Sequence, residues 1–233
     1  MVGLVRTRQP ADRAEQGNHG AGSLSINTGE DMETRMRGIE HIPWLYDALM
    51  SVMDATGFRR WRRKLVGEAG SPTLEVGCGT GRNLVLYPEG TEVVALDPDL
   101  GALRRARRRA PRALFVAARA EALPFREQSF PAVVSGLVFC SVQDPDQGLA
   151  EIRRVLHPSG QLRMIEHVRH HHPALARMQD GLQPAWTWFT GGCHPNRDTE
   201  SAVERAGFAF DPEDRVARGV MRRFSARIRP EKT

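Results

Sequence analysis

Cysteine is scarce in this chain of 233 residues, which has three: Cys78, Cys140 and Cys193. So few, so unevenly spaced, argue against a disulfide framework and predict reduced thiols in a cytosol. No CxxC pair or other zinc spacing is present, so no metal site is expected. Long apolar runs are missing too. No window approaches the roughly twenty apolar residues that cross a bilayer. The longest candidate, residues 44–53, is short and contains Asp47. The N-terminus lacks the apolar run of a signal peptide. These absences argue against a membrane-integral protein, and a cytoplasmic location is the expectation. What is present is ordinary for a globular protein, 40% hydrophobic and 26% charged, and the length suits one α/β domain with an added cap. The net charge is +5 and the pI about 9.7, almost all of it from arginine. A basic balance permits contact with nucleic acid or peripheral contact with anionic lipid, but the charge is scattered and requires neither.

One stretch organises the rest: Leu74-Glu75-Val76-Gly77-Cys78-Gly79-Thr80-Gly81. It reads as a short apolar strand entering a glycine-rich turn, where glycines allow tight turning and close approach of a ligand. Nucleotide-binding folds carry similar loops. Two acids narrow the choice. Glu75, just before the loop, would repel a pyrophosphate but suits a cationic amine. Asp97 ends a second apolar strand, 92–96, where a carboxylate grips ribose hydroxyls. Together they fit S-adenosylmethionine (SAM), which carries an amino group, a sulfonium and a ribose but no phosphate.

Glu75-x-Gly77-x-Gly79-x-Gly81 followed by Asp97-Pro98 resembles the first two motifs of the class I SAM-dependent methyltransferases. The resemblance implies a Rossmann-like α/β fold: a seven-stranded sheet, mostly parallel with an antiparallel last strand, helices on both faces and an N-terminal helical cap. It assigns cofactor contacts to Glu75, Gly77, Cys78, Gly79, Gly81, Asp97 and Pro98. The tract 118–125 resembles the family's Gly-Asp-Ala-Glu-x-Leu-Pro-Phe, whose Asp meets the adenine amino group. Here Arg119 stands in its place and cannot accept a hydrogen bond, so backbone around Ala120, or Glu121, is expected to substitute. The tract 151–160 is again typical of the family.

Taken in order, residues 1–33 read as a flexible polar tail, with Met32 and Met36 as alternative starts, and 34–233 as the methyltransferase domain. Within it, 34–68 form the helical cap, with Pro43 at a helix start and a second helix, 58–66, whose basic face carries Arg59, Arg60, Arg62, Arg63 and Lys64. Tyr46-Asp47 resembles the segment before the core in quinone-biosynthesis methyltransferases; Tyr46 either touches SAM or packs the cap onto the sheet. A short helix is expected over 82–87. The arginine-rich helix after Asp97 reads as a solvated face; it has no interleaved aromatics to stack bases. Strands follow at 114–117, 130–142 and 161–168. The carboxyl end of the second of these, Gly136 to Cys140 with Leu137, should line the cleft beside the methyl donor. A helix between them begins at Asp144 and is stopped by Pro158-Ser159-Gly160. A last helix, from Thr199 to Ala206 and stopped by Gly207, precedes two strands, 208–210 and 224–228, forming an antiparallel edge hairpin.

Residues 169–198 form a substrate-side insertion. With Glu166-His167, its Pro-x-Trp and Gly-Cys-x-x-x-Arg-acid segments resemble the thiol S-methyltransferase group of methyltransferase-like proteins. Methyl transfer from a sulfonium needs in-line positioning first and a base only where the nucleophile must lose a proton. His167 is the first candidate, then His194 and Asp198. Cys140 and Cys193 read as pocket lining. Trp186, Trp188 and Phe189 either wall an acceptor pocket or pack in a helix. The leading expectation is a methyltransferase for a small lipophilic acceptor, a thiol favoured, with no nucleic-acid partner. An RNA methyltransferase and a non-catalytic SAM-binding protein are the alternatives.

Overall fold

Strands β1 (Thr73–Val76) and β2 (Val93–Asp97) are buried at every position, as expected of parallel strands covered on both faces. A computed structural model describes residues 48, 51–52, 54–190 and 192–230. The tail 1–33, Tyr46 and most of the first half of the cap lie outside the described residues. β3 (Leu114–Ala117), β4 (Phe130–Gly136) and β5 (Leu156–His167) complete a parallel set in the order β3-β2-β1-β4-β5. The order reverses between β1 and β4, so the crevice at their carboxyl ends is where such a sheet takes its ligand.

β6 (Phe208–Phe210), β7 (Val216–Arg218) and β8 (Met221–Ile228) close the sheet. β8 runs antiparallel to β5, and both β6 and β7 pair antiparallel with β8. One edge of β8 is taken by β5 from Met221 to Ala226. β6 and β7 therefore share the other edge in tandem, separated by the turn Pro212–Asp214. The expected seven positions are present, but the edge strand is split, giving eight strands.

Among the described residues the complete α-helices are α1 (Arg59–Gly67), α2 (Leu100–Arg109), α3 (Pro145–Val155), α4 (Pro173–Thr190) and α5 (Thr199–Arg205). Asp99 caps α2 by accepting from the Gly101 and Ala102 amides, and Asp144 caps α3 ahead of Pro145. α2 buries Ala102, Leu103 and Ala106 and exposes Arg104, Arg107, Arg108 and Arg109, a solvated face as expected. α1 buries Leu65 and Val66 against Val134 and Ile165.

Several boundaries differ from the sequence reading. β4 stops at Gly136 rather than 142, because Leu137 turns the backbone left-handed at φ 62. α3 ends at Val155, and Leu156 already pairs with Phe130. Pro158-Ser159-Gly160 sits in an irregularity of β5 between that pair and Ala132–Gln161, so it does not end the helix. The helix expected over 82–87 is one 3-10 turn, Leu84–Leu86. Arg62 is not on a basic face: it is buried, with its Nε 3.2 Å from Asp54. Among the described residues, no helix is long and apolar enough to cross a membrane.

Candidate active site

The turn after β1 is shaped by its glycines. Gly77 has φ +68, and a Cβ there would lie 2.4 and 2.6 Å from the two Cγ atoms of Val138. Close approach of the β1 and β4 turns thus requires glycine. Gly79 has φ +52 and nothing within 4 Å of a built Cβ, leaving the space above the turn open. The Cys78 amide donates to Leu96 O at 2.9 Å, and the Gly79 amide to Asp97 Oδ2 at 2.8 Å. Asp97 Oδ1 accepts from the Asp99 amide at 2.9 Å. Two amide donors leave a carboxylate with further acceptor positions. Burial pushes the Asp97 carboxyl up, against those two bonds. Gly81 plays another part: its Cβ would meet Ala106 at 3.0 Å, so it seats α2 on the loop and does not line the cavity.

Glu75 lies beneath the turn, 1% exposed, and likewise does not itself line the cavity. Its Oε1 accepts from Asn83 Nδ2 at 3.1 Å, and Asn83 Oδ1 accepts from Arg62 at 2.7 Å. Asp54 binds both Arg62 and Arg82, so the helical segment before β1 is pinned to the glycine turn. Burial raises the Glu75 carboxyl to about 7, opposed by Tyr87, Asn83 and Arg62.

In the tract after β3, Arg119 bonds Glu121 at 3.0 Å and Gln143 at 2.6 Å. Glu121 also accepts from the Gln143 amide at 3.1 Å. Partial burial works against its charge, but bonds from Arg119 and the Asp144 amide outweigh that and hold its carboxyl below the ordinary range. The cation at the family's acid position is thereby neutralised by its neighbour.

The opposite wall comes from β4, β5 and α4. Glu166 is buried, and its Oε1 accepts from the Val138 and Phe139 amides, each at 3.1 Å. Burial raises its carboxyl to about 7. The turn it supports carries Cys140. His167 ends β5, with Nδ1 4.0 Å from Cys193 Sγ. Cys193 is held from α4: Thr187 Oγ1 donates to Cys193 O at 2.8 Å, and the Cys193 amide to Thr190 Oγ1 at 3.2 Å. The His194 amide donates to Cys140 O at 2.8 Å. His194 Nδ1 donates to Gly192 O at 2.8 Å, which leaves Nε2 as the acceptor. Arg197 donates to Phe139 O and Val142 O at 2.7 and 2.6 Å.

A single cavity of about 870 Å³ joins the two walls. Of the expected cofactor residues, Gly77, Cys78, Gly79, Asp97, Pro98, Ala120, Glu121 and Leu137 line it. His167 and His194 line it from the other wall, with Trp186 and Phe189. Asp198 does not. It is an exposed N-cap of α5, accepting from the Ser201 amide at 3.1 Å. Val138, within the 136–140 stretch expected at the cleft, and Arg197, from the Gly-Cys-x-x-x-Arg-acid segment, also line the cavity, whereas sequence reasoning missed Arg62 and Asn83; neither of these two carries a local signal beyond its place in the fold. A second depression, about 910 Å³, is bordered by Gln128, Leu156 and several arginines. It lies at the amino ends of β4 and β5, the wrong end for the ligand of such a sheet.

The residues fit SAM. The open space over Gly79 and the spare acceptor positions of Asp97 suit a ribose, and the Glu75 carboxyl beneath the turn favours a positive charge in the cavity above it. The arginines around the cavity are already bound to acids or carbonyls, which disfavours a phosphate. A methyltransferase-domain family model matches residues 74–164. Over 180 residues the chain is 33% identical to thiol S-methyltransferase TMT1B of Rattus norvegicus, covering 69% of this chain and 74% of that one. It is 40% identical over 126 residues to demethylmenaquinone methyltransferase of Renibacterium salmoninarum, covering 52% and 53%. A solved Thermotoga maritima structure, a SAM-dependent methyltransferase described as a possible histamine N-methyltransferase, is similar at TM-score 0.57 and 20% identity, covering 74% of this chain and 95% of that one. That last likeness concerns the fold alone. With the glycine turn, the Asp97 staple and the sheet order, these relationships make the chain a member of the class I SAM-dependent methyltransferases, with SAM as its cofactor.

Proposed function

We propose that the enzyme methylates the sulfur of a small, lipophilic thiol. The observation that carries this reading is the wall facing the cofactor turn. It combines the aromatic side chains of Trp186 and Phe189 with His167 and two buried cysteines in the same cavity. Such a wall suits an apolar molecule with one polar reacting atom. The relationship to a thiol S-methyltransferase supports the same acceptor. The RNA alternative rests on α2, whose sequence has arginines but no aromatic residue to stack a base.

When bound, SAM supplies a methyl group on a positively charged sulfur. The chain's own work is placement. The Gly77–Gly79 turn and Asp97 hold the nucleoside, and Trp186 and Phe189 exclude water around the acceptor. His167 sits at the carboxyl end of β5 and orients the acceptor sulfur toward the donor. A thiol is acidic enough that a positive field can take the place of a dedicated strong base.

The test is calorimetry with SAM and S-adenosylhomocysteine on wild type and Asp97→Ala, followed by transfer of radiolabelled methyl to alkyl thiols. Wild type should bind both nucleosides, the variant neither, and the label should appear as thioether in an organic extract. Label recovered only in RNA would establish the alternative acceptor. Binding without S-adenosylhomocysteine formation from any acceptor would establish a non-catalytic protein.

A further inference from the structure

Three parts of the chain bring soft ligand atoms to one point in the acceptor wall. Cys140 stands in the turn after β4, His167 at the last residue of β5, and Cys193 in the segment after α4. The two sulfurs and a ring nitrogen of His167 all lie within 4.8 Å of one another. Cys140 and Cys193 are 2% and 4% exposed, and all three cysteines are free thiols. With Zn–S near 2.3 Å and Zn–N near 2.0–2.1 Å, tetrahedral geometry separates neighbouring ligand atoms by about 3.6–3.8 Å. Side-chain adjustments of about 1 Å close the observed triangle to that size. The backbones beneath are already held. His194 N–H bonds Cys140 O, Thr187 bonds Cys193 O, and Arg197 bonds the carbonyls of Phe139 and Val142.

We propose that Cys140, His167 and Cys193 bind a thiophilic divalent cation, zinc by its chemistry, with the fourth position open to the cavity and taken by the acceptor's sulfur. The proposal rests on the thiol-acceptor reading and supplies a Lewis acid that holds the acceptor sulfur as its thiolate. Three protein ligands with one open position is the pattern of a reactive zinc, not a structural one. Two thiolates and a neutral imidazole cancel the dication's charge. A third thiolate, from the acceptor, then leaves one net negative charge facing a positive sulfonium.

The step balances without an oxidant or reductant. The acceptor R–SH gives its proton to solvent as its sulfur enters the fourth position. A lone pair of that sulfur forms the new bond to the methyl carbon. The bond from that carbon to the donor sulfur breaks, and its electron pair stays on the sulfur of S-adenosylhomocysteine. The product R–S–CH3 is a neutral thioether, a poorer ligand than a thiolate, and leaves the position to water or the next acceptor.

The test uses the full chain freed of metal by chelator dialysis and titrated with cobalt(II) alone. One equivalent should produce thiolate-to-cobalt charge-transfer absorption, and zinc should displace it. Cys140→Ser, Cys193→Ser and His167→Ala should each weaken cobalt binding at least tenfold. SAM affinity by calorimetry should stay within twofold, showing that the variants fold. Zinc added back should raise alkyl-thiol methylation at least tenfold over the metal-free protein. No charge-transfer band at one equivalent overturns the proposal, and so does a band that persists in both cysteine variants. Thiol methylation equally fast in metal-free protein overturns it too, while leaving the thiol reading intact. A normal cobalt titration with no thiol methylated does the reverse: the site stands and its acceptor role falls.

Discussion

The two walls of the cavity are made of different material. The cofactor wall is mostly backbone: the Gly77–Gly79 turn, stapled by amides to Leu96 and Asp97. The facing wall, proposed to hold the acceptor, is mostly side chain: Trp186 and Phe189 from α4, His167 from β5, Cys140 and Cys193 from turns. The first is fixed by the sheet itself, since β1 and β2 are fully buried. The second hangs on α4, of which Ala176 is the buried residue and which exposes Leu175, Met178, Leu182 and Trp188. Backbone recognition tolerates little change, whereas a side-chain wall on a lightly packed helix can be retuned. A shared cofactor and a variable acceptor are what that division would give a family.

Breaking the backbone wall should have the largest effect. In Gly77→Ala the new methyl collides with both Cγ atoms of Val138, and Val138 Cβ itself is at 3.1 Å, so no Val rotamer relieves it. Overpacking and the left-handed backbone together should cost about 3 kcal/mol, and SAM affinity by calorimetry should fall more than 100-fold. Adding Val138→Ala should recover part of the stability by removing the two closest atoms. Full affinity in Gly77→Ala would show that the turns do not need their close approach.

A smaller effect sharpens what lies beneath that wall. Glu75 has its carboxyl raised from an ordinary 4.5 to about 7 by burial. Below about pH 4.5 it is protonated whether the chain is folded or not, and costs nothing. As pH rises toward 7 the unfolded chain releases the proton first, so folding stability falls. The loss is complete above pH 7 and amounts to about 3 kcal/mol. Glu75→Gln should flatten that part of the stability curve in urea titrations at successive pH values, and raise stability at pH 8. It should also weaken SAM binding about tenfold, since the buried carboxylate complements a cationic amine. Unchanged affinity would make Glu75 a support for Asn83 alone.

The same contrast explains what could be read from sequence. Glu75 to Gly81 and Asp97-Pro98 are local: neighbours in sequence are neighbours in the fold, so pattern and spacing located most of the residues on this side of the cavity. Even there, only the fold shows that Gly81 faces Ala106 and that Glu75 works one layer down, because a motif does not say which side of a turn a residue faces. The acceptor wall is non-local. Cys193 and His167 are 26 residues apart, well beyond the short spacings that mark a zinc ligand pair, and Cys140 reaches them only because Leu137 ends β4 early. β7 was missed for a related reason. Its three residues are exposed and have no apolar alternation, so its pairing with β8 is set by the turn Pro212–Asp214.

Asp198 gives the smallest effect and the cleanest separation of the two walls. Its place in the Gly-Cys-x-x-x-Arg-acid segment made it a candidate base, yet in the fold it caps α5 at the Ser201 amide. A cap and a base respond differently to two substitutions. Asp198→Ala removes the acceptor for that amide and should cost about 1 kcal/mol in urea unfolding. Asp198→Asn keeps an oxygen in place and should cost little, because Asn caps as well as Asp. A base would fail in both, since an amide takes no proton. If the cap is all that Asp198 supplies, kcat for thiol methylation should stay within twofold in both variants, with only the Ala variant less stable. A drop in kcat shared by Ala and Asn, without loss of stability in Asn, would return Asp198 to the chemistry. It would also mean that α5 swings toward the cavity when the acceptor binds.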